Sequence, residues 1–211
     1  MTTHPRLRVD IHVELICPWC QIGKRHFERA RALLKAEHPE LAVEVHWHLQ
    51  TLLPDLPEEG LPFQAFYEHR LGSAAAVAVR QSQVKAAGRA AGLDFAFERI
   101  ERMPHTGLAH ALLADAREQL EPEGFELLLE RLFAAHFQQG ESLSDPLLLA
   151  ALADGFGVVP AAVARPAVSP LQTPGVPYFV FNRSYAISGA RPASDLLAVM
   201  GQAVQPGLLR G

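Results

Sequence analysis

Two cysteines stand three positions apart in the run Cys17-Pro18-Trp19-Cys20, and the 211-residue chain has no others. At i and i+3 on a first helical turn, both sulfurs lie on one face and are close enough to bridge. Pro18 suits the first helical position, where a missing N–H costs nothing. Cys17 then sits beside the unpaired N–H groups and the positive end of the helix dipole. That field favours thiolate over thiol, and the thiolate is the nucleophile of disulfide exchange. It also makes Cys17 a good leaving group when a second thiolate attacks the bridge. Cys20, one turn further in, is expected to be less exposed and less ionised, and to resolve a mixed disulfide. The competing readings are two buried structural cysteines or half of a zinc site. Zinc takes four ligands, usually from a second Cys pair or a His pair. There is no second Cys pair, and His46 and His48, on one strand face, read as polar facing, so no metal is expected.

Two further elements flank this pair. Glu14 lies three residues before Cys17, on the polar face of a strand expected to be central, where carboxylates are rarely placed without a use. It is a candidate general base for Cys20; the alternative is a partly solvated carboxylate bonded to Lys24 or Arg25. Gly175-Val176-Pro177 stands directly before a strand that starts at Tyr178. Proline cannot donate to a sheet ladder, so Pro177 belongs at a strand end. Its X-Pro bond is a candidate for cis, which would expose the Val176 backbone to an extended peptide. The alternative is a plain turn proline.

The elements that must position these residues follow from hydrophobic period. Residues 8–16 alternate as a strand, Pro18 to about Glu37 has helical spacing, and Leu41 to Leu49 alternates again. This is a β–α–β unit with parallel strands. From Pro62 to about Gly157 the chain is Ala/Leu-rich with about five helices, and Ser73, Thr106 and Ser144 or Asp145 are candidate N-caps. Prolines 160, 166, 170 and 174 forbid a long helix after Val158. Residues 178–181 and 185–188 read as a hairpin across Asn182-Arg183-Ser184, and Pro192 to about Val204 as a last helix. The fold class is therefore α/β, in the order β-α-β … β-β-α, with a large all-helical domain inserted between the halves. The boundaries read 1–50 for the first half of the core, 51–157 for the helical insertion, 158–175 for a Pro-rich linker and 176–211 for the second half.

Composition narrows the function classes. Lys+Arg total 19 and Asp+Glu 23, a net charge of −4, with 49% hydrophobic residues. A mildly acidic chain without a basic run is a poor phosphate binder, so nucleic acid is not an expected partner. No apolar run approaches the ~18 residues of a membrane span, and the N-terminal residues lack the apolar stretch of a signal peptide. The expected location is the cytoplasm. Exposed apolar helices allow a homodimer.

Beyond these readings, the residues carry a resemblance. Strand–CxxC–helix followed by Val-Pro, a hairpin and a terminal helix resembles the thioredoxin fold, and the helical insertion is similar to that of the DsbA superfamily. Glu14 to Arg25, reading ELICPWCQIGKR, resembles the cytoplasmic FrnE-like branch, typically S-D-x-x-C-P-W-C-Y-I-G-K-R. Trp47 with Leu52 to Pro57, Pro104-His105-Thr106 with Ala109-His110, Ser144-Asp145-Pro146, Gly175 to Phe181 and Tyr185 to Ala190 continue the match in the family's order. The resemblance implies a dithiol–disulfide oxidoreductase with cis-Pro177 packed against Cys17. It also implies a helical block overhanging the cysteines, in which His105 stands where Asn is usual; Gln21 stands where Tyr is usual. His105 is accordingly a candidate substrate hydrogen-bond donor or proton shuttle, with a satisfied surface His as the alternative. The segment 158–174 is shorter and richer in proline than the family's.

The expected activity is thiol–disulfide exchange with a disulfide-containing protein or small molecule. Cys17, Cys20 and Glu14 are its catalytic candidates, and Pro18, Trp19, Val176, Pro177 and His105 contact substrate. No tightly bound cofactor is expected; glutathione is a candidate co-substrate, and a thioredoxin- or glutathione-type system would recycle the pair. The alternative is a glutathione-dependent isomerase or transferase, similar to 2-hydroxychromene-2-carboxylate isomerases and kappa-class glutathione transferases. Those normally carry Ser in place of the first Cys, so retention of both thiols argues for redox work. A non-catalytic redox switch is a third reading.

Overall fold

The computed structural model describes residues 5–161 and 172–208, the last four of them by backbone alone. The chain divides into two compact units, Met1–Gln50 with Leu171–Gly211, and Thr51–Pro170. The first unit is a four-stranded sheet in the order β2-β1-β5-β6. Strand β1 (Arg6–Val13) pairs in parallel with β2 (Ala42–Leu49) and antiparallel with β5 (Tyr178–Phe181), which pairs antiparallel with β6 (Tyr185–Ser188). Strand β1 is thus paired on both sides, as is β5. Leu7, Val9, Ile11 and Val13 are fully buried, each worth roughly 1.5–3 kcal/mol of burial.

Helix α1 (Pro18–Glu37) presents Ile22, Phe27, Ala30 and Leu34 at helical spacing to the core. It packs with the chain's last helix, α7 (Ala193–Leu208), whose Leu196 and Met200 are wholly buried. Phe27 and Phe179 meet between helix and sheet, with ring centroids 6.1 Å apart. The β5–β6 turn holds Asn182 and Arg183 at φ 47° and 57°, the left-handed pair of a type I′ hairpin turn.

The opposite face of β1 is polar and internally paired. Arg8 grips Asp10 with two bonds of 2.7 and 2.6 Å, and Asp10 accepts a third from His48 Nε2 at 2.8 Å. The Arg8 guanidinium beside Asp10 holds its carboxyl well below the usual carboxylate range. The His48 ring stacks on His12 at 4.6 Å, and burial pushes the His12 imidazole down, with His48 adding to it. His48 is therefore committed to the sheet. Among the described residues no group of three His, Cys, Asp or Glu could hold a metal ion.

The second unit contains five α-helices among its described residues: α2 (Phe63–Leu71), α3 (Ala74–Ala90), α4 (Gly107–Gln119), α5 (Pro122–Ala134) and α6 (Pro146–Phe156). Ser73 and Asp145 cap α3 and α6 through their side chains, whereas Thr106 makes no such bond at α4. Two features have no counterpart in the hydrophobic period. A two-residue antiparallel ladder joins β3 (Leu61–Pro62) to β4 (Arg102–Met103), and α5 runs on into a π-helical turn, Ala135–Gln139. Phe95, Phe97, Phe133 and Phe137 form its aromatic core. Of the Pro-rich stretch, residues 162–171 lie outside the described residues. No described helix is long and apolar enough to cross a membrane.

Candidate redox-active site

The strand β1 ends at Val13, so Glu14, Leu15 and Ile16 lie beyond it, in the turn that delivers Cys17 to α1. Two backbone bonds shape that turn. The Cys17 N–H donates to the Glu14 carbonyl at 3.1 Å, and the Cys20 N–H to the Cys17 carbonyl at 2.9 Å. Cys17 is the N-cap of α1 with extended dihedrals and no side-chain cap bond, and Pro18 holds the first turn. No acidic side chain competes there for the positive end of the helix.

Both cysteines are free thiols. Cys17 is 8% exposed and Cys20 not at all. Cys20 Sγ accepts from the Glu14 N–H at 3.4 Å. Burial pushes the Cys20 thiol up, and its hydrogen bond with Cys17 and the neighbouring charges of Cys17 and Glu14 push the same way; the Glu14 N–H pulls back. Cys20 is thus held as a thiol until its environment changes.

Glu14 is fully buried, not partly solvated. One oxygen accepts from the Leu15 N–H at 2.6 Å. Lys24 pairs with Glu28 one turn on, and Arg25 reaches the same carboxylate at 3.4 Å. Pro18 and Trp19 are half-buried.

The Val176–Pro177 peptide bond is cis. The Cys17 thiol points at the Val176 carbonyl at 3.9 Å, so the residue before the proline lies against the outer sulfur. Pro177 itself is buried, and Gly23 makes room for it. A Cβ on Gly23 would stand 2.8 Å from Pro177 Cγ and 3.3 Å from Phe179 Cζ. This close contact is the physical use of Gly23. Gly23→Ala gains up to about 1 kcal/mol of helix propensity and meets an overpacking cost of about 1–3 kcal/mol. A net loss is expected, read as a lower urea midpoint than wild type. A raised midpoint would mean that Pro177 yields freely.

His105 belongs to the second unit. Its Nδ1 accepts from the Gly107 N–H at 3.1 Å, so the imidazole caps α4 in place of Thr106, and Nε2 is the nitrogen left to donate. Gly107 allows this closeness, since a Cβ there would lie 2.8 Å from His105 Cε1.

A thioredoxin-type sheet with a Cys-x-x-Cys at a helix N-terminus and a cis-proline beside it defines a class, and comparison supports it. The family profile of the DsbA-like thioredoxin domain matches residues 8–170. The chain belongs to the DsbA-like thioredoxin-domain family. A probable DsbA oxidoreductase from Streptomyces coelicolor, SCO1869, is 28% identical with a TM-score of 0.80, over 93% of this chain and 89% of that one. The cytosolic disulfide reductase DsbM from Pseudomonas aeruginosa, solved with GSH, is 13% identical with a TM-score of 0.55, over 97% and 100%. A 2-hydroxychromene-2-carboxylate isomerase is 11% identical with a TM-score of 0.56, over 97% and 100%. These last two share the fold. None of the curated protein sequences matches the chain.

Proposed function

We propose that the protein is a cytoplasmic thiol–disulfide oxidoreductase that works through Cys17 and Cys20. The observation that carries this reading is the placement of two free thiols on the first turn of α1, the outer one against the Val176 carbonyl. Cys17, as thiolate, attacks a substrate disulfide, forms a mixed disulfide and releases one substrate thiolate. Cys20 then loses its proton and attacks Cys17 Sγ. The Cys17–Cys20 bridge forms, and the second substrate sulfur leaves and is protonated. Two electrons pass to the substrate, and an external dithiol or two glutathione molecules return them.

Glu14 takes the Cys20 proton. Its negative charge is one of the features that hold Cys20 as a thiol, and protonation removes that charge as the thiolate forms. Pro18 and Trp19 border the sulfur, and Val176 offers backbone to an extended chain ahead of Pro177. A reducing compartment keeps such a pair transient and catalytic. Retention of two adjacent thiols favours exchange over glutathione-dependent isomerisation, which needs one sulfur-holding position.

The test is catalytic acceleration of insulin reduction or of the refolding of a scrambled disulfide protein, with the reduction potential of the pair. Acceleration is expected in at least one assay. A potential near the cytosolic glutathione poise, roughly −220 to −320 mV, assigns reductase or isomerase work, and a much more oxidising one assigns an oxidant. A wild-type protein inactive in both assays would overturn the reading.

A further inference from the structure

We propose that Gln50 is a positioning residue of the redox site, holding in register the two backbone segments that bring Cys17 against Val176. The inference rests on the oxidoreductase reading above and names a residue that neither the motif nor the resemblance points to.

Gln50 follows directly on β2 and is 3% exposed, an unusual place for an uncharged amide. Its backbone N–H donates to the Val13 carbonyl at 2.8 Å, one rung beyond the last paired residue of the parallel ladder. Val13 is the last residue before the cysteine turn. The next residue, Glu14, supplies the carbonyl that takes the Cys17 N–H and the N–H that meets Cys20 Sγ. The main chain of Gln50 therefore fixes where that turn begins.

Its side chain fixes the opposing segment. Oε1 accepts from the Gln172 N–H at 2.9 Å, a contact spanning 122 positions. Nε2 donates to the Leu49 carbonyl at 3.2 Å, which orients the amide so that its oxygen, and not its nitrogen, meets the Gln172 N–H. From Gln172 a short strap leads to the cis bond. Thr173 Oγ1 braces it by donating to the Gly175 carbonyl at 2.8 Å, and the Val176 carbonyl then faces Cys17. One residue thus clamps the start of both segments. Removing the acceptor hands the Gln172 N–H to water and frees the strap at this anchor.

Gln50→Leu keeps the size and removes the acceptor. It is expected to raise KM for insulin about tenfold while kcat stays within about twofold, because contacts to the strap serve ground and transition states alike. Amide exchange at residues 172–176 should speed up more than tenfold. If the Leu variant does not fold, Gln50→Asn, which withdraws the amide by one methylene, must give the same split. Wild-type KM and exchange in the folded Leu or Asn variant would overturn the inference. So would a fall in kcat with KM unchanged. An inactive wild type would overturn the function reading instead; the role of Gln50 would then be read from amide exchange alone.

Discussion

Cys20→Ser is expected to turn the protein from a catalyst into a trap, while Cys17→Ser leaves neither activity nor adduct. The asymmetry follows from burial. Cys17 is the residue with remaining exposure, and Cys20 has none, so a substrate disulfide meets Cys17 first. Attack by Cys17 expels one substrate sulfur and leaves the other bound. Release of the second needs Cys20 Sγ as a nucleophile, and a serine hydroxyl does not ionise in its place. Turnover of insulin reduction should fall by at least about a thousandfold in either variant, as for residues that act as a unit. A covalent Cys17–insulin-chain species should accumulate in Cys20→Ser only, visible by mass under non-reducing conditions and removed by dithiothreitol. An adduct on Cys20 in the Cys17→Ser protein would reverse the assigned roles, and near wild-type turnover in that protein would remove Cys17 from the chemistry.

Much of this site is legible in the chain because it is local. The Cys-x-x-Cys, the proline at the first helical position and the alternation of residues 7–13 each report on neighbours a few positions away, and period separates strand from helix without any tertiary information. The hairpin is equally local, since its turn needs only Asn182 and Arg183 to adopt positive φ. What the pattern does not carry is pairing between distant positions. Nothing in the period of β2 tells Gln50 from any other residue at a strand end, and its partner lies 122 positions away. Gly23 looks like a weak helix residue until Pro177 is placed beside it. Glu14 continues the alternation of β1 on paper, yet the strand stops at Val13 because the Glu14 carbonyl is used by the cysteine turn. Likewise Thr106 reads as the cap of α4, and a neighbouring imidazole takes the bond.

The π-helical turn carries a second expectation of large size, and it concerns stability. His136 is fully buried, and neither ring nitrogen reaches a hydrogen-bond partner. Burial pushes its imidazole down from 6.5 to about 4, against a smaller opposing pull from the Glu141 backbone. That backbone falls short of hydrogen-bonding geometry, so desolvation decides the direction. The turn has little room to open. Phe137 packs edge-on against the ring at 4.7 Å, the Phe137 carbonyl takes the Ala96 N–H at 2.7 Å, and a Cβ on Gly140 would lie 2.2 Å from the Arg99 carbonyl. An unfolded chain binds the His136 proton near pH 6.5, and the folded one only near 4. Stability from this group is therefore complete above about 6.5 and falls as pH drops through that window, by about 3 kcal/mol in all. His136→Leu, close in volume and without polar atoms, should raise the urea midpoint at pH 7.5, because it removes two unsatisfied nitrogens. It should also flatten the decline between pH 6.5 and 4 relative to wild type. Parallel stability profiles for the two proteins across that range would show that His136 finds its proton without opening the turn, and the burial argument would fall.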